Sequence, residues 1–248
     1  MGSWNWSFFL NWDWSFLMND PGGQFHTYWR WLISAWGWTA AVSLGSLILA
    51  LVAGSVVGVL RTLSNPWWVR LGGVWVELFR NIPLLVQLFV WQYVLTLLPV
   101  IKTFSSFTLM VLALGLFTSA RIAEQVRSGI QALPRGQRQA AMALGLSTAQ
   151  SYRYVLLPMA YRIILPPLTS ESMNVVKNSA VAFAASIPEL AQYFYQVTEE
   201  QSRTKEIFIL VVLLYVITAL AVWVVLHWLE RRTRVPGLIG VGAAGGGR

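Results

Sequence analysis

The sequence predicts an all-α integral membrane protein of five transmembrane helices, with its N-terminus outside and its C-terminus in the cytoplasm. Composition is the first ground: 56% of the 248 residues are hydrophobic and only 11% are charged, the balance of a chain built from membrane-length apolar runs. Charge placement is the second. The formal net charge of +8 could suggest nucleic acid, but the basic residues sit in short loops beside apolar helices, the positive-inside pattern. Ten of them, from Arg61 and Arg70 through Arg127, Arg135, Arg138 and Arg153 to Arg231, Arg232, Arg234 and Arg248, fall in inner segments. Four, Arg30, Lys102, Arg203 and Lys205, fall in outer ones. The third ground is a negative one. Cysteine is absent, and the two histidines, His26 and His227, lie far apart beside tryptophans, which leaves no thiol chemistry and no plausible metal site.

In chain order, residues 1–30 form an aromatic-rich outer segment. Trp4, Phe8, Trp12 and Phe16 recur every four residues, one stripe on a helix, with no basic residue before Arg30; this predicts a short helix lying on the outer membrane surface rather than a signal peptide. A membrane domain follows over 31–232. Its first span, 32–60, carries Ser46, Ala50, Gly54 and Gly58 at intervals of four, a small-residue face that admits another helix closely, in this chain or in a partner. Arg61, Arg70 and Asn65-Pro66 mark an inner turn. The second span, 71–99, is broken at Pro83, and Glu77 and Arg80, three apart, can pair on its face. Lys102 marks an outer turn, and the third span covers 104–125. The fourth starts near Ile163 and carries Glu171 and Lys177 into the membrane. An acidic outer segment with Glu189, Glu199, Glu200 and Glu206 has room for a short helix over a pore, and 207–229 is the last span. The tail, 233–248, is glycine-rich and expected to be disordered.

One long segment, 124–167, is too polar to span. Pro134 and Gly136 interrupt the preceding helix, Gln137 to Leu144 are strong helix formers, and Gly145 sits where a C-terminal cap belongs. Ser147 with Gln150 three residues on reads as a capping box that starts a new helix. A short cytoplasmic helix held between two breaks has the form of a docking element.

These residues carry a resemblance. EQVRSGIQALPRGQ followed by AAMALGLSTAQSYRYVLLP is similar to the "EAA" loop of ATP-binding-cassette (ABC) import permeases of the polar amino-acid uptake family. VELFRNIPLLVQL and LPPLTSESMNVVKNS fit the same family, so the likeness covers roughly 32–232. GLFTSARIAEQVRSGI and LERRTRVPG most resemble glutamate/aspartate importer permeases. The resemblance implies a type I ABC importer transmembrane domain in the bacterial inner membrane, with a coupling loop over 124–162. It implies as partners ABC ATPase subunits, a second related permease subunit and an extracytoplasmic amino-acid-binding protein, besides membrane lipid and with no nucleic acid. Coupling to the ATPase then falls on Gly136, Gln139, Ala140, Ala141, Leu144, Gly145 and Leu146. The acidic residue that names the loop is replaced here by Gln139, which removes an ion pair to the ATPase from that position.

No GxxxxGK[ST] phosphate loop and no GxSxG occurs, so the chain needs no cofactor of its own; ATP belongs to a partner subunit. Ionisable residues inside a membrane are costly, about 2.5–3.5 kcal/mol or more each, and are candidates for substrate binding: Arg121, Glu171, Arg80 and Lys177. Arg80 and Lys177 lie in family-wide motifs. Arg121 stands where related permeases often hold an aromatic, and a planar guanidinium can grip a carboxylate through two hydrogen bonds. The expectation is that Arg121 receives a carboxylate of a dicarboxylic amino acid and Glu171 its ammonium. The competing expectation is a structural Arg121–Glu124 or Arg121–Glu171 pair. Other functional classes stay open at this point: a permease for neutral or basic amino acids, an ATP-independent secondary carrier, or a non-transporting assembly subunit.

Overall fold

A computed structural model describes residues 12–233, apart from the side chain of Arg135. The expectations for Trp4, Phe8, Arg234, Arg248 and the glycine-rich tail fall outside the described residues. Within them the secondary structure is helical throughout, with no strand.

Helix α1 (Tyr28–Leu60) starts where the Thr27 side chain accepts from the Arg30 N–H. At about 1.5 Å per residue its 33 residues exceed the hydrocarbon thickness of a bilayer, so it crosses with length to spare. Its small-residue face turns inward, onto α4 (Ser106–Gln131). A Cβ on Gly54 would stand 2.7 Å from the Ile122 side chain, and one on Gly58 2.6 Å from that of Val126. The two backbones meet there because nothing but hydrogen fits between them. The stripe from Ser46 to Gly58 is therefore an internal seam of this chain.

Asn65 caps α2 (Pro66–Asn81), its side chain accepting from the Trp67 N–H, with proline in the first turn where no amide hydrogen is needed. The break falls at Pro83, as the sequence predicts. There α2 turns by 100° into α3 (Leu84–Phe89), which runs on through a π turn to Val94 and a 3-10 turn to Leu97. The physical reason is local. Proline has no N–H to offer the Phe79 carbonyl one turn back. The buried Gln87 side chain supplies the donor instead, its Nε2 lying 2.7 Å from the Phe79 oxygen and 2.8 Å from that of Ile82.

Beyond α4 come α5 (Arg135–Ala143), α6 (Thr148–Ser151), a π turn over Tyr152–Leu156 and α7 (Leu157–Asn178). A 3-10 stretch, Ser179–Ala185, leads to α8 (Leu190–Gln201) and α9 (Thr204–Thr233). By length and hydropathy α1, α4 and α9 can each cross a membrane, and the bent α2–α3 pair makes a fourth if it is one span. Helix α7, carrying Arg162, Glu171 and Lys177, is not among them, yet its buried face packs on α4 and α9. Between its charged ends α9 is apolar on all sides, its most apolar 18 residues having a mean hydropathy of 3.0 with 6% of them buried, as befits a helix facing lipid.

Of four packed regions among the described residues, one is small and joins Val57 and Val76 to Ala120 and Ala123. Val42, Leu88, Leu114 and Val175 lie in a second, and Ile122, Val126, Leu156 and Ile164 in a third. The fourth joins Phe16 and Tyr28 to Leu190, Tyr193 and Ile207. Phe16 is thus a core residue, 2% exposed, in a 3-10 turn over Ser15–Met18, and not part of a surface stripe. Asp13 beside it bonds Arg203 at 2.6 Å. Hydrogen bonds from the Ser15 hydroxyl and N–H, with Arg203 beyond them, hold the Asp13 carboxyl below its ordinary value.

Candidate functional site

The docking segment is built by capping chemistry. Helix α5 begins at Arg135, directly after Pro134, so Gly136 lies in its first turn and not in a break before it. The far end closes with Gly145 at φ +80°; the Gly145 N–H donates to the Met142 carbonyl at 3.0 Å and the Leu146 N–H to the Ala141 carbonyl at 3.2 Å. This paired arrangement is a Schellman stop, and it needs the left-handed residue that glycine supplies without strain. Ser147 and Gln150 form the expected capping box, each side chain bonding the other's backbone N–H.

One side of α5 is tied down. Arg138 donates to the Ser64 hydroxyl at 3.1 Å and lies over the Tyr152 ring, whose hydroxyl donates to the Thr62 carbonyl at 2.9 Å. Ala141 is buried on that side. The opposite side is bare: Gln139, Ala140, Met142, Leu144 and Gly145 are exposed, Leu144 by 82%, while Leu146 is half-buried. An open cavity of about 490 Å³ separates α5 from the ends of α1 and α4, with Arg61, Gln131 and Arg138 among its walls. Beneath it Glu124 accepts from Arg61 at 2.6 Å and from Arg127 at 3.0 Å, clamping the ends of α1 and α4 together. Neither the Arg138–Tyr152–Thr62 chain nor the Arg61–Glu124–Arg127 clamp is visible in sequence spacing. The exposure of Met142 and Leu144 is equally hidden in the sequence, where they lie in the apolar run from Ala140 to Leu146.

The second region lies midway along α4 and α7. Arg121 faces Glu171, Gln125 reaches the Pro167 carbonyl and Gly129 meets Ile164, so residue numbers rise on one helix as they fall on the other. The pair is antiparallel. Arg121 Nη1 stands 3.5 Å from Glu171 Oε1, and its guanidinium lies 4.9 Å from the Phe117 ring centre. The arginine side chain is 42% exposed and the glutamate 8%. At that distance the contact is an ion pair and not a hydrogen bond, and Oε1 of Glu171 has no hydrogen-bond donor among the described residues. Glu124, engaged with Arg61, is not the partner of Arg121. The other two candidates do not join this pair. Arg80, exposed in the last turn of α2, has no ion-pair partner among the described residues; Asn81 takes Glu77 instead, at 2.6 Å. Lys177 is exposed in the last turn of α7. Both cations favour the negative end of their helix.

Comparison with known proteins gives this geometry a context. Residues 46–235 match the family described as "Binding-protein-dependent transport system inner membrane component". The chain is 42% identical to the glutamate/aspartate import permease protein GltJ of Escherichia coli (strain K12), over 96% of this chain and 98% of that one. It is 33% identical to the probable glutamine ABC transporter permease protein GlnM of Bacillus subtilis (strain 168), over 78% and 89% of the two chains. Among solved structures, a chain described as "an amino acid ABC transporter with histidines" superposes with a TM-score of 0.72 at 29% identity, covering 83% of this chain and 95% of that one. A chain of the MetNI methionine ABC transporter shares the fold, with a TM-score of 0.73 at 23% identity over 83% and 97% of the two chains. These matches span nearly the full length of the relatives and rest on the same helices that carry α5 and the Arg121–Glu171 pair. The chain belongs to the family of binding-protein-dependent transport system inner membrane components, the membrane-embedded permease subunits of ABC importers, which leave ATP hydrolysis to a separate subunit.

Proposed function

We propose that this chain is one permease half of an ATP-driven amino-acid importer whose substrates are glutamate and aspartate. It crosses the bacterial inner membrane five times, with the N-terminus outside and the C-terminus inside, and its membrane domain covers 31–232. Helix α7 is the crossing that hydropathy misses, with Glu171 buried opposite Arg121 of α4. A second related permease completes the path. An extracytoplasmic binding protein delivers the amino acid, and ATPase subunits grip α5 from the cytoplasm.

The observation that carries the docking assignment is the two-sidedness of α5: anchored to Ser64 and Tyr152 on one face, and offering Met142, Leu144 and the Gly145 stop on the other. The observation that carries the substrate assignment is the Arg121–Glu171 pair. A half-exposed guanidinium and a buried carboxylate, held apart by 3.5 Å with an acceptor left open, match the two ends of a zwitterion. Arg121 takes a carboxylate, Glu171 the ammonium, and the resting pair re-forms when the substrate leaves. Arg80 and Lys177 serve the helix ends they occupy. The 42% identity to a glutamate/aspartate permease supports the acidic substrate class.

The test is reconstitution of the complete transporter in proteoliposomes with ATP inside. Uptake of glutamate or aspartate that requires both ATP and binding protein supports the reading. Uptake without ATP would mark a secondary carrier, and preference for a neutral or basic amino acid would remove the role given to Arg121.

A further inference from the structure

Helix α8 stands apart from the elements used so far. It has twelve residues and joins the ends of α7 and α9 on the side opposite α5. Two serines bound it, Ser186 at φ 55° and Ser202 at φ 52°, the only non-glycine residues with positive φ among those described. Left-handed backbone at L-residues is disfavoured and persists only where the surroundings impose it, which is common in hinges and switch segments. A helix set between two such residues is a rigid rod with a strained joint at either end.

Apolar packing holds the rod along its length, and Tyr28 ties its far end by donating to Glu200 at 2.9 Å and accepting from Gln201 at 2.7 Å, but one side chain ties its start to two other helices. Glu189 is fully buried, and one carboxylate oxygen caps α8 by accepting from the N–H groups of Ala191 and Gln192 at 2.9 and 3.0 Å. Its other oxygen accepts from the Tyr215 hydroxyl of α9 at 2.6 Å and lies 3.4 Å from the Thr39 hydroxyl of α1. Thr39 in turn accepts from the Leu190 N–H at 3.1 Å. A cap alone requires only one oxygen and carries no need for burial. Here the second oxygen reaches two other helices, and removing either contact leaves a buried carboxylate short of donors.

We propose that Glu189 is a positioning residue that latches α8 onto α1 and α9, and that release of this latch, with rotation about Ser186 and Ser202, opens the outer mouth of the transport path. The proposal rests on the importer reading above, which puts α8 on the outer side. In each transport cycle the Tyr215–Glu189 bond breaks as α9 and α8 separate, while the Ala191 and Gln192 bonds travel with the helix.

Two variants separate a latch from a cap. Glu189→Asp keeps the carboxylate and the cap but is one methylene too short to reach Tyr215 as well; Tyr215→Phe leaves the cap untouched and removes the tie. Because the chain has no cysteine, spin labels go onto Gly37→Cys of α1 and Glu199→Cys of α8 without competing sites in it. With the assembled transporter in nanodiscs, both variants are expected to lengthen and broaden the label distance before nucleotide is added. Both should also raise ATP hydrolysis in the absence of binding protein severalfold. Wild-type distances and wild-type hydrolysis in both would reduce Glu189 to a cap and overturn the latch; an effect of Glu189→Asp without one of Tyr215→Phe would overturn the tie to α9. Failure of the unmutated complex to import an amino acid with ATP would instead count against the importer reading, whatever the labels report.

Discussion

Arg121 and Glu171 face each other at 3.5 Å across the antiparallel α4–α7 pair, near enough for charge to couple them and too far for a hydrogen bond. An ion pair that does not close is a poor structural element and a good receptor. It costs little to part, and each member keeps hydrogen-bonding capacity for a ligand.

Replacing Arg121 by tyrosine should therefore cost glutamate uptake at least tenfold while the complex still assembles. Breaking a fully buried pair costs about 3–5 kcal/mol, but the exposed guanidinium reduces this here to about 1–2 kcal/mol. Glu171→Gln restores the balance of charge in Arg121→Tyr and should recover the lost stability without recovering transport. Uptake by Arg121→Tyr equal to the unmutated protein would show that the pair is structural.

At Gly145 two substitutions should diverge. An added Cβ meets nothing within 4 Å, so any fold penalty comes from the φ of +80° alone, about 1–2 kcal/mol and less for asparagine. Gly145→Asn should transport nearly normally. Gly145→Glu should insert and assemble, yet hydrolyse ATP without moving substrate, because the bulk and charge lie on the face offered to the ATPase. ATP turned over per amino acid imported is the readout.

The α1–α4 seam makes a prediction about folding. A valine at Gly58 would put its Cβ 2.6 Å from Val126 and 2.8 Å from the Ala123 carbonyl, and overpacking of this kind costs about 1–3 kcal/mol. Gly73, with open space around it, is the control. Detergent-solubilised Gly58→Val should unfold at a lower temperature than Gly73→Ala, which should match the unmutated chain.

The bend at Pro83 depends on Gln87 donating to Phe79 and Ile82. Gln87→Met keeps the volume but leaves two part-buried carbonyls without that donor, at about 1 kcal/mol each. The α2–α3 angle should become variable, visible as a broadened distance distribution between labels on α2 and α3. An unchanged distribution would mean that packing alone sets the bend.

How much of this was readable in advance depended on how local the governing chemistry is. The stop of α5 at Gly145 and the capping box at Ser147 follow from neighbours within four residues, and spacing exposes them, whereas Gly136, expected in a break, lies in the first turn. The position of the Pro83 break was equally local, but its 100° angle depends on Gln87, whose role only the folded chain displays. The Ser46–Gly58 stripe announced a close helix contact without naming the helix. For Arg121 the sequence offered Glu124, three residues away, and Glu171, fifty away; the nearer one was already taken by Arg61, from a different helix. Phe16 shows the reverse failure. A four-residue repeat put it on a surface stripe, while it is buried beside Tyr28 in a packed region that also takes in residues of α8 and α9, nearly two hundred positions on.

The account turns on α5 being gripped from the cytoplasm, and Leu144 is the place to ask. It is 82% exposed, so Leu144→Cys should disturb the fold little, and it would be the sole cysteine of the chain. In membrane vesicles of known orientation, a membrane-impermeant thiol reagent should modify it only from the cytoplasmic side, and co-expressed ATPase should both shield it and cross-link to it. Modification from the outer side, or free access in the fully assembled transporter, would contradict the account.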